Sequence, residues 1–184
     1  MMATGKRAVP GWDEYFMRMV DLVKTKSKDR STQVGAVIVK EGRIPIVMGY
    51  NGFPRGVGDE VEARHERPAK YFYTEHAERN AVYAAARNGI ALLGSGIYVT
   101  GLPCADCARA IIQAGIVEVL MPNRPFDGKG DWRASCMAGV EMMEEAGVRL
   151  VFVADDEGYA RVRPSWLDIQ RGLPDFSCLT PETP

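Results

Sequence analysis

The 184-residue sequence lacks any apolar run approaching the roughly 18 residues that a membrane-spanning helix needs. Its opening stretch has no apolar h-region, so no secretory signal is expected there. Neither sign of charge dominates: 23 Lys and Arg stand against 24 Asp and Glu. Without a basic excess there is no electrostatic ground for a nucleic-acid polymer or an anionic membrane as partner. Histidine is scarce, with two residues, and there are only four cysteines. With no export signal, the cytoplasm is the expected compartment, and a Cys-x-x-Cys pair reads as metal or redox chemistry before a disulfide framework. Internal repeats, low-complexity blocks and dividing linkers are also missing. One domain is expected, with a core over about 12–153 and an extension over 154–184 that wraps the surface or a neighbouring subunit.

What is present alternates. Apolar residues at helical spacing predict a helix over 12–25. Two β-branched runs, 34–39 and 43–50, flank Glu41-Gly42 as a hairpin. The Gly-, Pro- and charge-rich stretch 51–73 reads as a long loop, a kind that often carries function. Helices are predicted over 74–88, 105–114 and 135–146, each followed by a glycine suited to end it, with strands over 96–100, 116–121 and 148–153. That order predicts an α/β fold, a three-layer α/β/α sandwich with a mixed sheet of about five strands. In such sheets, sites gather where strands end and the next helices begin.

Two segments at predicted helix starts carry the chemistry: Thr74-Glu75-His76-Ala77-Glu78 and Pro103-Cys104-Ala105-Asp106-Cys107. Cys104 and Cys107, three apart, share one helix face and can grip one ion. Imidazole and thiolate are preferred zinc donors, and a helix N-terminus favours the thiolate. His76, Cys104 and Cys107 make three ligands for one Zn2+ and leave a fourth tetrahedral position for water, the mark of a catalytic rather than a structural site. Two thiolates weaken the ion as a Lewis acid, so a nearby base is needed, and Glu78 is placed to carry the proton without ligating. Taken singly, each segment has other readings. Cys104 and Cys107 could form a redox pair, or Cys104 could be a nucleophile with His76 as its base. A closed structural zinc would need a fourth ligand from His65, Cys136, Cys178 or a carboxylate. The joint occurrence of the two segments favours the catalytic zinc site.

At these residues the sequence resembles the cytidine deaminase superfamily, whose zinc enzymes share the pattern His-x-Glu followed by Pro-Cys-x-x-Cys. Within it the resemblance is to deoxycytidylate (dCMP) deaminases. It runs from about 28 to 153 through Ser31-Thr32-Gln33-Val34-Gly35-Ala36, Gly49-Tyr50-Asn51-Gly52-Phe53-Pro54 and Ile111-Ile112-Gln113-Ala114-Gly115-Ile116. The resemblance implies hydrolytic removal of an exocyclic amine from a nucleotide, dCMP first, and a homo-oligomer. It also implies that Asn51 hydrogen-bonds the sugar 3′-hydroxyl and that the backbone of Ala77 meets the base. Arg30 and Arg55 are candidates for the phosphate, since a guanidinium fits phosphate oxygens bidentately. The sequence departs from the pattern after the fourth strand. The Tyr usual there is missing, and Phe126 and Trp132 stand as candidates to stack on a base or to pack as core or subunit contact.

Overall fold

The computed structural model describes residues 9–41, 43–124, 126–153 and 161–162. In chain order the elements are α1 (Trp12–Lys24), β1 (Gly35–Lys40), β2 (Ile44–Tyr50), a 3-10 turn (Glu62–Arg64), α2 (Lys70–Tyr73), α3 (Ala77–Arg87), β3 (Gly96–Val99), α4 (Ala105–Gln113), β4 (Glu118–Pro122), α5 (Gly130–Glu145), β5 (Arg149–Val153) and β6 (Arg161–Val162). The sheet order is β2-β1-β3-β4-β5-β6. The β1–β2 hairpin and the β1–β3 pair are antiparallel, β3–β4–β5 run parallel, and the two-residue β6 closes antiparallel on β5. The mixed sheet therefore has the five expected strands and a short sixth. The C-terminal extension otherwise lies outside the described residues, as does Cys178.

Strand alternation divides the core. Ala36 and Ile38 face the side where α3, α4 and α5 pack, with Ala81, Ile111, Val140 and Met143 in the same cluster. Val37 and Val39 face the other side with Phe16, Met17 and Val20 of α1. Period-two side-chain direction in β1, with five of its six residues buried, thus builds both layers at once. One edge of the sheet collects the loops that matter. The start of β1, the end of β2 and the ends of β3 and β4 all arrive there, because β1 is antiparallel to both neighbours and β4 is parallel to β3.

Three boundaries differ from expectation. The long loop 51–73 contains the 3-10 turn and ends in the one-turn helix α2. Helix α3 starts three residues later than expected, with His76 itself as N-cap. Helix α5 starts at Gly130 rather than 135. Its first turn is a poor helix former by composition, and Trp132 in it packs edge-on against the His76 ring, a tertiary contact that propensity does not see.

Candidate metal centre

The two ligand segments end up side by side because α3 and α4 both lie on one face of the sheet and both begin at its loop-rich edge. His76 caps α3 and Cys104 caps α4, each with extended backbone and no side-chain cap bond, so both side chains are left to point into the gap between the helices. Cys107 follows within the first turn of α4 and is fully buried. His76 Nδ1 stands 3.4 Å from the sulfur of Cys104 and 3.4 Å from that of Cys107. All three donor atoms lie within 4.8 Å of one another. A zinc ion with tetrahedral bonds of about 2.3 Å to sulfur and about 2.1 Å to nitrogen would hold those atoms about 3.6 Å apart. The donor set and its spacing fit zinc.

The titration of these groups agrees. Cys104 is held down to about 4, first by the hydrogen bond from the Cys107 thiol and then by His76. Cys107 is pushed up because it is the donor in that bond and is deeply buried. His76 is raised chiefly by its bond to Cys104. The three groups thus compete for positive charge, and a divalent cation would take the place of the protons they share.

Among the described residues no fourth ligand joins this cluster. His65 stacks on Phe53 with ring centroids 4.8 Å apart, and its Nε2 sits 2.7 Å from the Asp59 carbonyl oxygen. Cys136 packs beside the two ligand cysteines, but its thiol donates to the Leu102 carbonyl at 3.8 Å. Burial pushes Cys136 up to about 12, so it stays a thiol. Glu78, 5% exposed, sits one residue beyond Ala77 on α3. Burial raises its carboxyl above the usual range. A carboxyl whose hold on its proton is strengthened in this way suits a residue that accepts and returns a proton.

These groups open onto a cavity of about 1070 Å³, lined by His76, Ala77, Glu78, Asn51, Phe126 and Trp132. Asn51 is 5% exposed and fixed on both sides: its Oδ1 accepts from Val34 N–H at 2.8 Å and its Nδ2 donates to the Thr32 carbonyl at 2.9 Å. One amide hydrogen and one lone pair of that carboxamide remain for a ligand. The following Gly52 exchanges two backbone hydrogen bonds with Glu75, which ties the Asn51 turn to the residue before the His76 ligand. Phe126 packs against the cysteine cluster, and the Trp132 ring lies 5.9 Å from the His76 ring.

Arg30 and Arg55 are not brought to this cavity. Both are exposed, and Arg30 pairs bidentately with Glu62 and lines a smaller cavity of about 90 Å³. The cations that line the large cavity are Lys24, Arg67, Lys70 and Arg124. Sequence reasoning passed over Lys70, which is buried and bound to Asp29 at 2.9 Å. No local pattern could reveal it, since its partner is 41 residues away. It also passed over Ser135, which lines the cavity and accepts from the Ala105 amide between the two ligand cysteines.

Comparison with known proteins agrees with the geometry. Residues 10–122 match the model of the cytidine and deoxycytidylate deaminase zinc-binding region. An uncharacterized deaminase of Aliivibrio fischeri is 42% identical over 145 residues, spanning 79% of this chain and 95% of that protein. Human deoxycytidylate deaminase is 42% identical over 138 residues, 70% of this chain and 76% of that protein. The dCMP deaminase of cyanophage S-TIM5, solved in complex with dCMP and dUMP, superposes with a TM-score of 0.61 at 29% identity, covering 78% of this chain and 98% of that one. With three zinc donors in place and a family match over more than half its length, the chain belongs to the cytidine and deoxycytidylate deaminase family.

Proposed function

We infer that the protein is a zinc-dependent hydrolase that converts dCMP and water to dUMP and ammonia. The observation that carries this reading is the three-donor cluster with a buried carboxylate beside it, opening on a cavity of nucleotide size. The substrate follows from relatives at about two-fifths identity that carry that activity in their names, and from the phage enzyme seen with dCMP and dUMP.

His76, Cys104 and Cys107 would hold the zinc, whose Lewis acidity would supply a water nucleophilic enough to attack C4 of the ring. Glu78 would take the proton from that water, give it to the ring nitrogen, and return a proton to the departing amine. Ala77, which lines the cavity, would present backbone groups to the base. Asn51 would use its remaining amide hydrogen or lone pair on the sugar 3′-hydroxyl. Phe126 and Trp132, which line the cavity, would flank the base and supply aromatic surface for stacking. For the phosphate, the cations lining the cavity, Arg67, Lys70 and Arg124 among them, are better placed than Arg30 or Arg55.

No helix among the described residues is long and apolar enough to cross a membrane. Free thiolate ligands suit a reducing compartment, which supports a cytoplasmic site of action. Exposed Phe72 and Tyr71 beside the cavity, 84% and 64% accessible, support assembly with further copies of the chain.

The test is ammonia release from zinc-loaded protein across nucleotides, nucleosides and free bases. dCMP should give the highest kcat/KM, and a purine or free base in first place would overturn the substrate. Glu78→Gln should retain one zinc per chain and lose about 10²–10⁴ in kcat, the usual contribution of a positioned acid–base group. Retained turnover in that variant would remove Glu78 from its role.

A further inference from the structure

Helix α5 presents one face to both halves of the ligand set. Trp132, Ser135, Cys136 and Gly139 fall at i, i+3, i+4 and i+7, which is one stripe of an α-helix. Trp132 meets the His76 ring edge-on at 5.9 Å. Ser135 Oγ accepts from the Ala105 N–H at 3.2 Å. The Cys136 thiol, fully buried against Cys104 and Cys107, donates to the Leu102 carbonyl. A Cβ at Gly139 would come within 3.0 Å of Pro103 O, 3.2 Å of Cys104 C and 3.3 Å of Ala105 N. Residues 102–105, which deliver the first thiolate, therefore rest on α5 at three successive points.

The geometry points to α5 as a clamp on the zinc site, with Ser135 and Gly139 as positioning residues that hold the Cys104 loop in ligating geometry. The physical reason lies in the loop's own bonding. Ala105 is the first residue of α4, where the helix leaves its amide hydrogens without partners. Ser135 satisfies one of them from outside the helix, in a place where the loop's own residues offer no cap. The missing side chain at Gly139 lets the two backbones meet, so α5 can reach that amide. Outer-shell contacts of this kind set ligand orientation and change metal affinity when removed. The clamp rests on His76, Cys104 and Cys107 being the zinc ligands, and the test separates the two ideas.

Zinc-loaded protein is mixed with excess chromogenic chelator, and the rate of zinc transfer is followed for the wild type and its variants. Ser135→Ala should release zinc about tenfold faster, the scale of lost outer-shell contacts, and Ser135→Thr should restore slow release because it keeps the hydroxyl. Gly139→Ala should also speed release by pushing the loop away. Ala138→Gly, on the exposed side of the same helix, weakens the helix without touching the loop and should leave the rate near wild type. The melting temperature of the zinc-stripped protein should fall no further for Ser135→Ala than for Ala138→Gly, since each loses about 1 kcal/mol of helix stability. Unchanged release from Ser135→Ala, or equal acceleration by Ala138→Gly, would overturn the clamp. Failure of the wild type to hold stoichiometric zinc would overturn the ligand assignment and the clamp together.

Discussion

Lys70 and Asp29 show how a single pair can set a binding wall. The Lys70 ammonium lies 2.9 and 3.1 Å from the two carboxylate oxygens of Asp29 and 3.1 Å from Ser31 Oγ, with both charged side chains about one-tenth exposed. Asp29 Oδ1 also accepts the amides of Ser31 and Thr32, and the Thr32 carbonyl accepts from Asn51. The pair is thus the far end of a hydrogen-bonded chain that terminates on the proposed sugar contact. Breaking a buried pair by removing one partner strands the other charge and costs about 3–5 kcal/mol. Lys70→Met should therefore lower the urea midpoint sharply, and adding Asp29→Asn should recover part of the loss, read as a double-mutant cycle. The pH dependence has a definite sign. Burial alone would lift the Asp29 carboxyl, but Lys70 and the two amides together hold it below the ordinary value of 3.8. A carboxyl lowered in the folded state stabilises the protein above its unfolded pKa, and that contribution fades as pH falls through the folded value. Stability should thus drop below pH 3.8 more steeply in the wild type than in Asp29→Asn. Parallel acid limbs for the two proteins would show that the pair contributes nothing to it.

At the scale of elements, the site depends on how closely α3 lies on β2. A Cβ at Gly49 would stand 2.2 Å from Ala77 O and 2.6 Å from Ala81 N, both backbone atoms that cannot swing aside. Ala77 lies between the ligand His76 and Glu78, so any retreat of α3 carries both away from α4. Gly49→Ala should cost about 1–3 kcal/mol as an overpacked contact and should also lower bound zinc, measured by metal content after dialysis. Full zinc occupancy with reduced stability would mean that α3 shifts as a rigid body with its partner helix. Helix α3 and the start of α4 are legible because helix propensity, spacing and ligand chemistry are local, although α3 begins three residues later than expected, and the Gly49–Asn51 motif is legible as a pattern. The reason for Gly49 is not, since the atoms it makes room for lie 28 or more residues ahead. The separation of Arg30 and Arg55 from the large cavity has the same origin. The path of the 51–73 loop is set by distant pairs, Lys28–Asp59, Arg30–Glu62 and Lys70–Asp29, and no local period encodes which way each guanidinium turns.

For the molecule as a whole, zinc is a staple between parts that are already placed. His76 arrives on α3 and the cysteines on α4, and each helix is anchored independently by apolar residues: Ala81 and Ala85 on one, Ala108 and Ile111 on the other. Those residues belong to the larger cluster of a core with two faces, so the scaffold should fold without the metal, unlike small zinc modules that unfold without it. Zinc should then act by mass action on a fold that exists without it. At a free concentration a thousandfold above its dissociation constant, a ligand stabilises the native state by about 4 kcal/mol. Each kcal/mol moves the melting temperature of a domain this size by about 2–4 °C, so stripping zinc should lower Tm by about 8–16 °C. The far-ultraviolet circular dichroism below that transition should be preserved, because the sheet and its helices keep their cores. Loss of the spectrum on chelation at room temperature would mean instead that the bridge between α3 and α4 helps hold the layers together. In that case the metal centre would belong to the fold as much as to the chemistry.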